Sequence, residues 1–582
     1  MDIRRFAIIF GLAISTYFLI LAWNDDYGQD TVANAPIAQK SAIEVGDSPA
    51  AGEIIAAGEI SSIDSSANDS DIPNVIATSI EEPEVKAQAS TQLIQVKTDV
   101  LNVTINPLGG EIVEVSLPAY PADIADKDIP FVLMENNARR VYVAQSGLLD
   151  AKGKQWEKTQ AYSASQVSYQ LDEASDTLTV ELSTQLDDVE VKKVFTFQRN
   201  NYLIDVKYQV ANGSDSQWRG VFFAQLKRDR SDDPHQGSSM GMQAYLGPAI
   251  TTNLSKYEKI SFDDIDDKRL AESVDGGWVA MLQHYFVSAW VANPEMTHSV
   301  YAKPNKQGEY IVGFHDGKTP LLVAAGETGT VGAQLYVGPK SQYVLADVAE
   351  NLDLTVDYGW LWWIAQPLFA IMNFIESGYI NFLGLVDIDL GGGVGNWGVA
   401  IILLTVFIKL CFFKLSAASY RSMANMRKVA PKLAAIREQH ADNKEKLGQE
   451  MMALYKKEKI NPLGGCLPIL VQMPVFIALY WVLAESVELR QAPFFLWIND
   501  LSAIDPYFVL PLLMGASMFV QMQLNPTPPD PVQARVMKLM PVIFTVFFLF
   551  FPSGLVLYWV VNNLLSITQQ YVITKQIENA DT

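Results

Sequence analysis

Within residues 396–415, an apolar run long enough to cross a bilayer, the chain carries one interior charge, Lys409. About 20 apolar residues span a hydrocarbon core, and an ionisable side chain inside such a run is costly enough to mark a functional site. Lys414 follows five residues later, about 7.5 Å along a helix axis, so snorkelling to the nearer interface is the competing reading. Other polar side chains in apolar runs share helix faces: Thr405 with Lys409, Gln472 with Phe476, Ser517 with Gln521, and Tyr558 with Asn562, Ser566 and Gln569 or Gln570. In lipid such groups need partners or water. They either hydrogen-bond between helices of a bundle or line a hydrophilic cavity.

Covalent and metal chemistry have little support. Gly237-Ser238-Ser239-Met240-Gly241 matches the G-x-S-x-G nucleophile elbow, but residues 230–234 before it have loop composition where a buried strand is required. Gly393-x-Gly395-x-x-Gly398 matches a dinucleotide fingerprint, yet it leads into an apolar run and reads as a flexible lead-in. Cys411 and Cys466 lie in apolar segments without CxxC spacing, the five histidines are scattered, and no G-x-x-x-x-G-K-[ST] occurs. No cofactor or metal is expected, and the chain is read as no enzyme.

The elements that must position the polar residues divide the 582 residues unevenly. Residues 1–23 start basic and continue apolar. Arg4 and Arg5 mark the cytoplasmic side, and no small-x-small cleavage pattern or lipobox cysteine appears, so a retained transmembrane anchor is expected. Residues 24–90 hold 13 Asp and Glu against Lys40 and Lys86, half of a net charge of −22, with Tyr27 their one aromatic. They read as a disordered acidic tether, a composition that argues against nucleic acid as a direct, sequence-specific partner. Residues 91–345 alternate apolar and polar at 100–105, 111–117 and 177–182, then at 189–197 and 202–210 around the turn Arg199-Asn200-Asn201. An antiparallel, extracytoplasmic all-β domain is expected there.

Residues 358–390, rich in tryptophan and interrupted by Pro367, read as an interfacial amphipathic helix. If they crossed the membrane, the loop 416–462, with ten Lys and Arg against five Asp and Glu, would fall outside. That loop reads as a cytoplasmic hairpin of two amphipathic helices, with Leu433, Ile436, Leu447, Met451 and Leu454 inward and a turn at Asp442-Asn443. It is either a self-contained coiled coil or a docking surface for an acidic or RNA-bearing partner. Further spans are expected at 466–483, 506–523, 537–551 and 555–572, which makes six and leaves 573–582 in the cytoplasm. Lys409, Gln472, Gln521, Ser566 and Gln569 then fall in the cytoplasmic half, and the outer half is nearly free of polar side chains. This asymmetry favours a groove open to the cytoplasm and closed outward. A solute transporter with an external binding domain is the alternative, although it would carry polarity through whole spans and an internal repeat. A membrane-anchored hydrolase using Ser239 stands third.

Four blocks carry a resemblance: Asn461-Pro462-Leu463-Gly464-Gly465-Cys466-Leu467-Pro468, Gln472-Met473-Pro474, Val487-Glu488-Leu489-Arg490-Gln491-Ala492-Pro493-Phe494, and Phe551-Pro552-Ser553-Gly554-Leu555-Val556-Leu557-Tyr558-Trp559. Over about residues 340–575 the chain resembles the YidC membrane protein insertase family, and its anchor plus large domain is similar to the Gram-negative branch. The resemblance implies a polytopic α-helical protein of six transmembrane helices in the bacterial inner membrane, with a periplasmic all-β supersandwich domain of the sugar-mutarotase type. No residues here argue for sugar chemistry. It implies an insertase and chaperone for nascent membrane proteins in the lipid bilayer, acting alone or with the Sec translocon, with the ribosome and the signal recognition particle receptor as further partners. By position it makes Lys409 the groove cation that attracts acidic substrate segments, and Thr405, Met473, Phe476, Tyr558 and Trp559 substrate contacts. Gln472, Ser517, Gln521, Asn562 and Ser566 complete the groove. Family members usually carry arginine where this chain has Lys409. Lysine keeps the charge and loses the forked donor geometry.

Overall fold

The computed structural model describes residues 92–150, 155, 161–234, 244–382, 386–440, 443–458, 467–525 and 531–580. The anchor, the tether and Ser239 lie outside the described residues.

Period-two alternation builds the first half of the molecule. In the strand Leu203–Asn212, Ile204, Val206, Tyr208 and Val210 are buried while Lys207 and Gln209 face solvent. It pairs antiparallel with Val189–Gln198 across the expected turn, where Asn200 takes φ 53, a left-handed conformation that asparagine tolerates. This hairpin belongs to a nine-stranded sheet, which faces an eleven-stranded one. Val115, Leu133 and Leu226 from the larger sheet meet Phe195, Val206 and Trp290 from the smaller in one core. The expected all-β domain is therefore present as two packed sheets.

Ten helices follow or interrupt the strands among the described residues: α1 (Phe262–Asp267), α2 (Gln342–Val348), α3 (Trp362–Ser377), α4 (Trp397–Cys411), α5 (Phe413–Gln439), α6 (Lys444–Lys457), α7 (Leu467–Glu485), α8 (Val509–Gln523), α9 (Pro531–Phe548) and α10 (Ser553–Ala580). A second core ties the bundle to the sheets, joining Trp278 and Tyr336 to Leu368 of α3, Leu404 of α4, Leu479 of α7, Met514 of α8 and Tyr558 of α10. No single described helix is long and apolar enough to cross a membrane. Trp397–Cys411 and Phe413–Met426 are long and apolar enough only when taken together, and they meet at a bend of 67°. The straight run expected over 396–415 is thus a helix that stops at Cys411, followed by one that continues without interruption into the hairpin. There Val429 and Leu433 pack against Met451, Leu454 and Tyr455, and Asn443 caps α6 by accepting from the Lys446 N–H.

The segment 358–390 also departs from a single helix. α3 buries Leu368, Phe369 and Met372, leaves Trp362 and Trp363 exposed, and ends at Gly378 with φ 82, after which Tyr379–Phe382 pairs with Val386–Asp389. The glycine run behind it is a packed strap, not a flexible lead-in. The Val394 and Gly395 N–H groups donate to the Ile375 and Glu376 carbonyls at 2.9 Å each, and a Cβ at Gly378 or Gly393 would strike backbone.

Loop 486–508 fastens the bundle to the β domain. The Arg490 guanidinium lies over the rings of Phe131 (5.7 Å) and Phe286 (5.6 Å) and donates to the Pro121 carbonyl at 2.7 Å. Lys340 and Glu485 form a buried ion pair at 3.1 Å, and His284 Nε2 donates to the Ala484 carbonyl at 2.9 Å. Glu488, half-buried in the same seam, accepts from the Ser341 hydroxyl at 3.1 Å. Burial first, with Glu376 adding to it, pushes its carboxyl up from 4.5 to about 7, against the hydrogen bonds from its own N–H and Ser341. Tyr120, Tyr336 and Tyr358 also face it. A carboxyl raised on folding holds its proton more tightly in the folded seam, so its contribution is complete below 4.5 and is lost as pH climbs to about 7. Amide hydrogen exchange across 484–491 is expected to be severalfold faster at pH 8 than at pH 5.5, corrected for intrinsic exchange. Glu488→Gln is expected to flatten that dependence, and a pH-independent wild-type seam would refute the assignment.

Candidate functional site

Helical spacing and a hydroxyl explain how Lys409 is held. It lies near the C-terminal end of α4, only 8% exposed, and its Nζ donates to Ser566 Oγ of α10 at 2.7 Å. That hydroxyl in turn donates to the Asn562 carbonyl one turn back, also at 2.7 Å. Among the described residues Lys409 has no ion pair, so its charge is met by a hydroxyl alone. One turn before it Thr405 is buried, with its hydroxyl donating to the Ile401 carbonyl at 2.6 Å.

α10 binds two more helices with the same face. Asn563 Nδ2 donates to Ser517 Oγ of α8 at 3.1 Å, while Ser517 donates to the Met514 carbonyl at 2.7 Å. Gln570 Nε2 donates to the Leu524 carbonyl at 3.1 Å, and Gln569 Nε2 to the Phe413 carbonyl at 3.3 Å. Lys409, Ser566 and Ser517 are therefore brought together through α10. The residue that reaches Ser517 is Asn563 rather than its neighbour Asn562, and the readable signal was the i, i+3, i+7 set 563, 566 and 570. Gln521, half-buried on α8, stands apart from these bonds.

The apolar wall is aromatic. Phe476 of α7 meets Trp559 edge-on at 5.1 Å and stacks with Tyr558 at 6.4 Å, and Trp559 packs against Phe548 of α9 at 5.6 Å. Met473, one turn before Phe476 on α7, is 42% exposed. Among the described residues, Gln472 Nε2, Trp559 Nε1 and Asn562 Oδ1 are buried in this region without a hydrogen-bond partner.

The opposite end of α10 is tied shut by two carboxylates that sequence reasoning missed. Asp505 is 1% exposed and accepts from Trp497 Nε1 and from the Tyr507 and Leu510 N–H groups at 2.7–3.0 Å. Asp500 accepts from the N–H groups of Gln491 and Ser502 at 3.0 and 2.8 Å, and its carbonyl accepts from the Ser553 hydroxyl at 2.7 Å. An aspartate followed by proline a few residues before an apolar helix was the available cue. Ser553 lies 13 residues before Ser566 on α10, about 20 Å along the axis. One end of the bundle is thus knitted by loop residues, and the buried cation sits well away from it, at the middle of α10.

Residues 93–371 match the family model of the YidC periplasmic domain, and residues 390–580 that of the 60Kd inner membrane protein. A protein of Azotobacter vinelandii named membrane protein insertase YidC is 51% identical, covering 100% of this chain and 99% of its own. A protein of that name from Alcanivorax borkumensis is 50% identical, covering 100% of both. A solved structure titled as an active YidC insertase with its first transmembrane domain resolved is 18% identical, covers 83% of this chain and 93% of its own, and has a TM-score of 0.37, too low to add to the sequence matches. The matched models define an inner-membrane protein with a large periplasmic β domain. More narrowly, the chain belongs to the YidC membrane protein insertase family. Each of these names states an insertase and none a chemical reaction, in keeping with a chain read as no enzyme.

Proposed function

We propose that this chain inserts nascent inner-membrane proteins through a groove lined by α4, α7, α8 and α10 that opens to the cytoplasm. The observation that carries the reading is Lys409, buried and, among the described residues, met only by a serine hydroxyl. Burying a cation without a carboxylate costs free energy that a purely structural bundle has no reason to spend, and an acidic stretch of substrate would satisfy it. In this reading six spans place both termini in the cytoplasm and the β domain in the periplasm. The ordered loop around Asp500 and Asp505 then closes the outer end. Thr405, Met473, Phe476, Tyr558 and Trp559 contact the substrate, which leaves sideways into lipid along the apolar wall. The hairpin of α5 and α6 docks the ribosome or the signal recognition particle receptor, and the chain acts alone or beside the Sec translocon.

The test is site-specific photocrosslinking from positions 405, 476 and 558 to a ribosome-stalled nascent membrane protein. Crosslinks from all three are expected, with none from lipid-facing Leu512 on α8, which is 61% exposed. Equal crosslinking from 512 and 405, or none from 405 and 558, would sink the groove.

A further inference from the structure

Among the described residues, four buried side-chain polar atoms of α7 and α10 lack a hydrogen-bond partner, and three of them, Gln472 Nε2, Trp559 Nε1 and Asn562 Oδ1, lie near one level, with Gln570 Oε1 about two turns further along α10. α7 and α10 run antiparallel, with Tyr480 against Phe551 at 6.0 Å, at the start of the turn into α10, and Phe476 against Trp559 at 5.1 Å. One turn beyond Phe476 lies Gln472, and one turn beyond Tyr558 lies Asn562. The antiparallel packing therefore brings these two amide side chains to one level, with the Trp559 indole a turn away. Their nearest polar neighbours are engaged: Ser566 with Lys409 and Asn563 with Ser517; further along, Gln570 bonds the Leu524 carbonyl through Nε2.

A buried polar atom without a partner is unfavourable, and amides between the helices of a membrane bundle ordinarily pair across the interface. Here Gln472 Nε2 and Trp559 Nε1 are donors and Asn562 Oδ1 is an acceptor. Carbonyls that need donors and N–H groups that need acceptors are what an unfolded polypeptide carries into an apolar site.

We propose that Gln472, Trp559 and Asn562 form a receptor for main-chain amides: Gln472 and Trp559 donate to backbone carbonyls of a segment lying between α7 and α10, and Asn562 accepts from a backbone N–H. The proposal rests on the insertion reading above and adds a second mode of recognition to it. Lys409 reads acidic side chains, whereas the receptor reads groups that every polypeptide has. It also supplies a release rule. Once the segment becomes a helix its N–H and C=O groups bond to each other, and nothing remains for the receptor to hold.

The experiment measures insertion of a single-span protein into phosphatidylethanolamine and phosphatidylglycerol vesicles that hold the full chain, read by protease protection. Two substrates are used, one with acidic residues in its translocated segment and one with serine in their place. Gln472→Met, Asn562→Leu and Trp559→Phe are each expected to slow both substrates about fivefold, the loss of one net hydrogen bond. Their thermal midpoints are expected to equal or exceed that of the unaltered chain, because an unpaired buried polar atom has gone. Unaltered rates with both substrates, slowing confined to the acidic one, or slowing accompanied by a fall in midpoint would overturn the receptor while leaving insertion standing. If the unaltered chain inserts neither substrate, the insertion reading fails and the receptor with it.

Discussion

Lys409→Glu is expected to reduce insertion of a substrate with an acidic translocated segment by well over tenfold, while Lys409→Arg stays within about twofold of the unaltered chain; the Arg figure follows from point-charge attraction being common to both cations. Two unit charges 8 Å apart at an effective dielectric of 20 interact by about 2 kcal/mol, roughly thirtyfold in rate, and reversing the sign turns that attraction into repulsion. The Ser566 hydroxyl that now accepts from Lys409 Nζ at 2.7 Å accepts equally from a guanidinium and can donate to a carboxylate, so either variant keeps a partner. The measurement is protease-protected substrate in vesicles, run beside a neutral substrate that serves as the folding control. With the neutral substrate the three proteins are expected to differ by less than about threefold, because only the charge term has been changed. Equal activity of the Arg and Glu variants on the acidic substrate would sink charge attraction as the role of Lys409.

The residues that make this expectation possible were readable in the sequence because their signals are local. A lysine in an apolar run is costly wherever the run ends up, and Thr405 four residues earlier had to share its face. The hairpin of Val189–Gln198 and Leu203–Asn212 followed from period-two alternation around an asparagine turn, again within one short window. What escaped depends on neighbours. Asn562 and Asn563 sit about 100° apart on α10, and only the position of α8 selects Asn563 as the partner of Ser517. No proline or glycine marks the 67° bend after Cys411; it shows only where α5 turns away from α4. The glycine strap at 391–395 looked flexible because glycine permits flexibility, whereas here the missing side chain of Gly393 admits the backbone of α3 at Glu376. The seam with the β domain joins residues as far apart as Arg490 and Pro121, a distance in sequence across which no periodicity operates.

That seam holds the largest stability effect expected of a single side chain. Lys340 and Glu485 are 3% and 4% exposed, 3.1 Å apart, at the point where the last strand of the β domain meets the end of α7. Removing one partner of a buried pair strands the other charge, so Lys340→Met is expected to cost about 3–5 kcal/mol. Replacing both, in Lys340→Met with Glu485→Leu, removes the stranded charge and is expected to recover most of that loss. Because a chain of two packed parts does not unfold in one step, the readout is amide exchange of the Thr328–Pro339 strand and of the end of α7, compared across the four members of the cycle. A single variant that loses less than about 1 kcal/mol, or a double variant as unstable as the single, would show that the pair is not a desolvated unit. The functional consequence separates the two ends of the bundle. Glu485 adjoins the loop that Asp500 and Asp505 order at one end of the bundle, whereas Ser566 and Lys409 lie about 20 Å along α10 from Ser553. Loosening the seam should therefore loosen that loop and leave the cation in place, so Lys340→Met is expected to keep the preference for acidic over neutral substrates that Lys409→Glu abolishes.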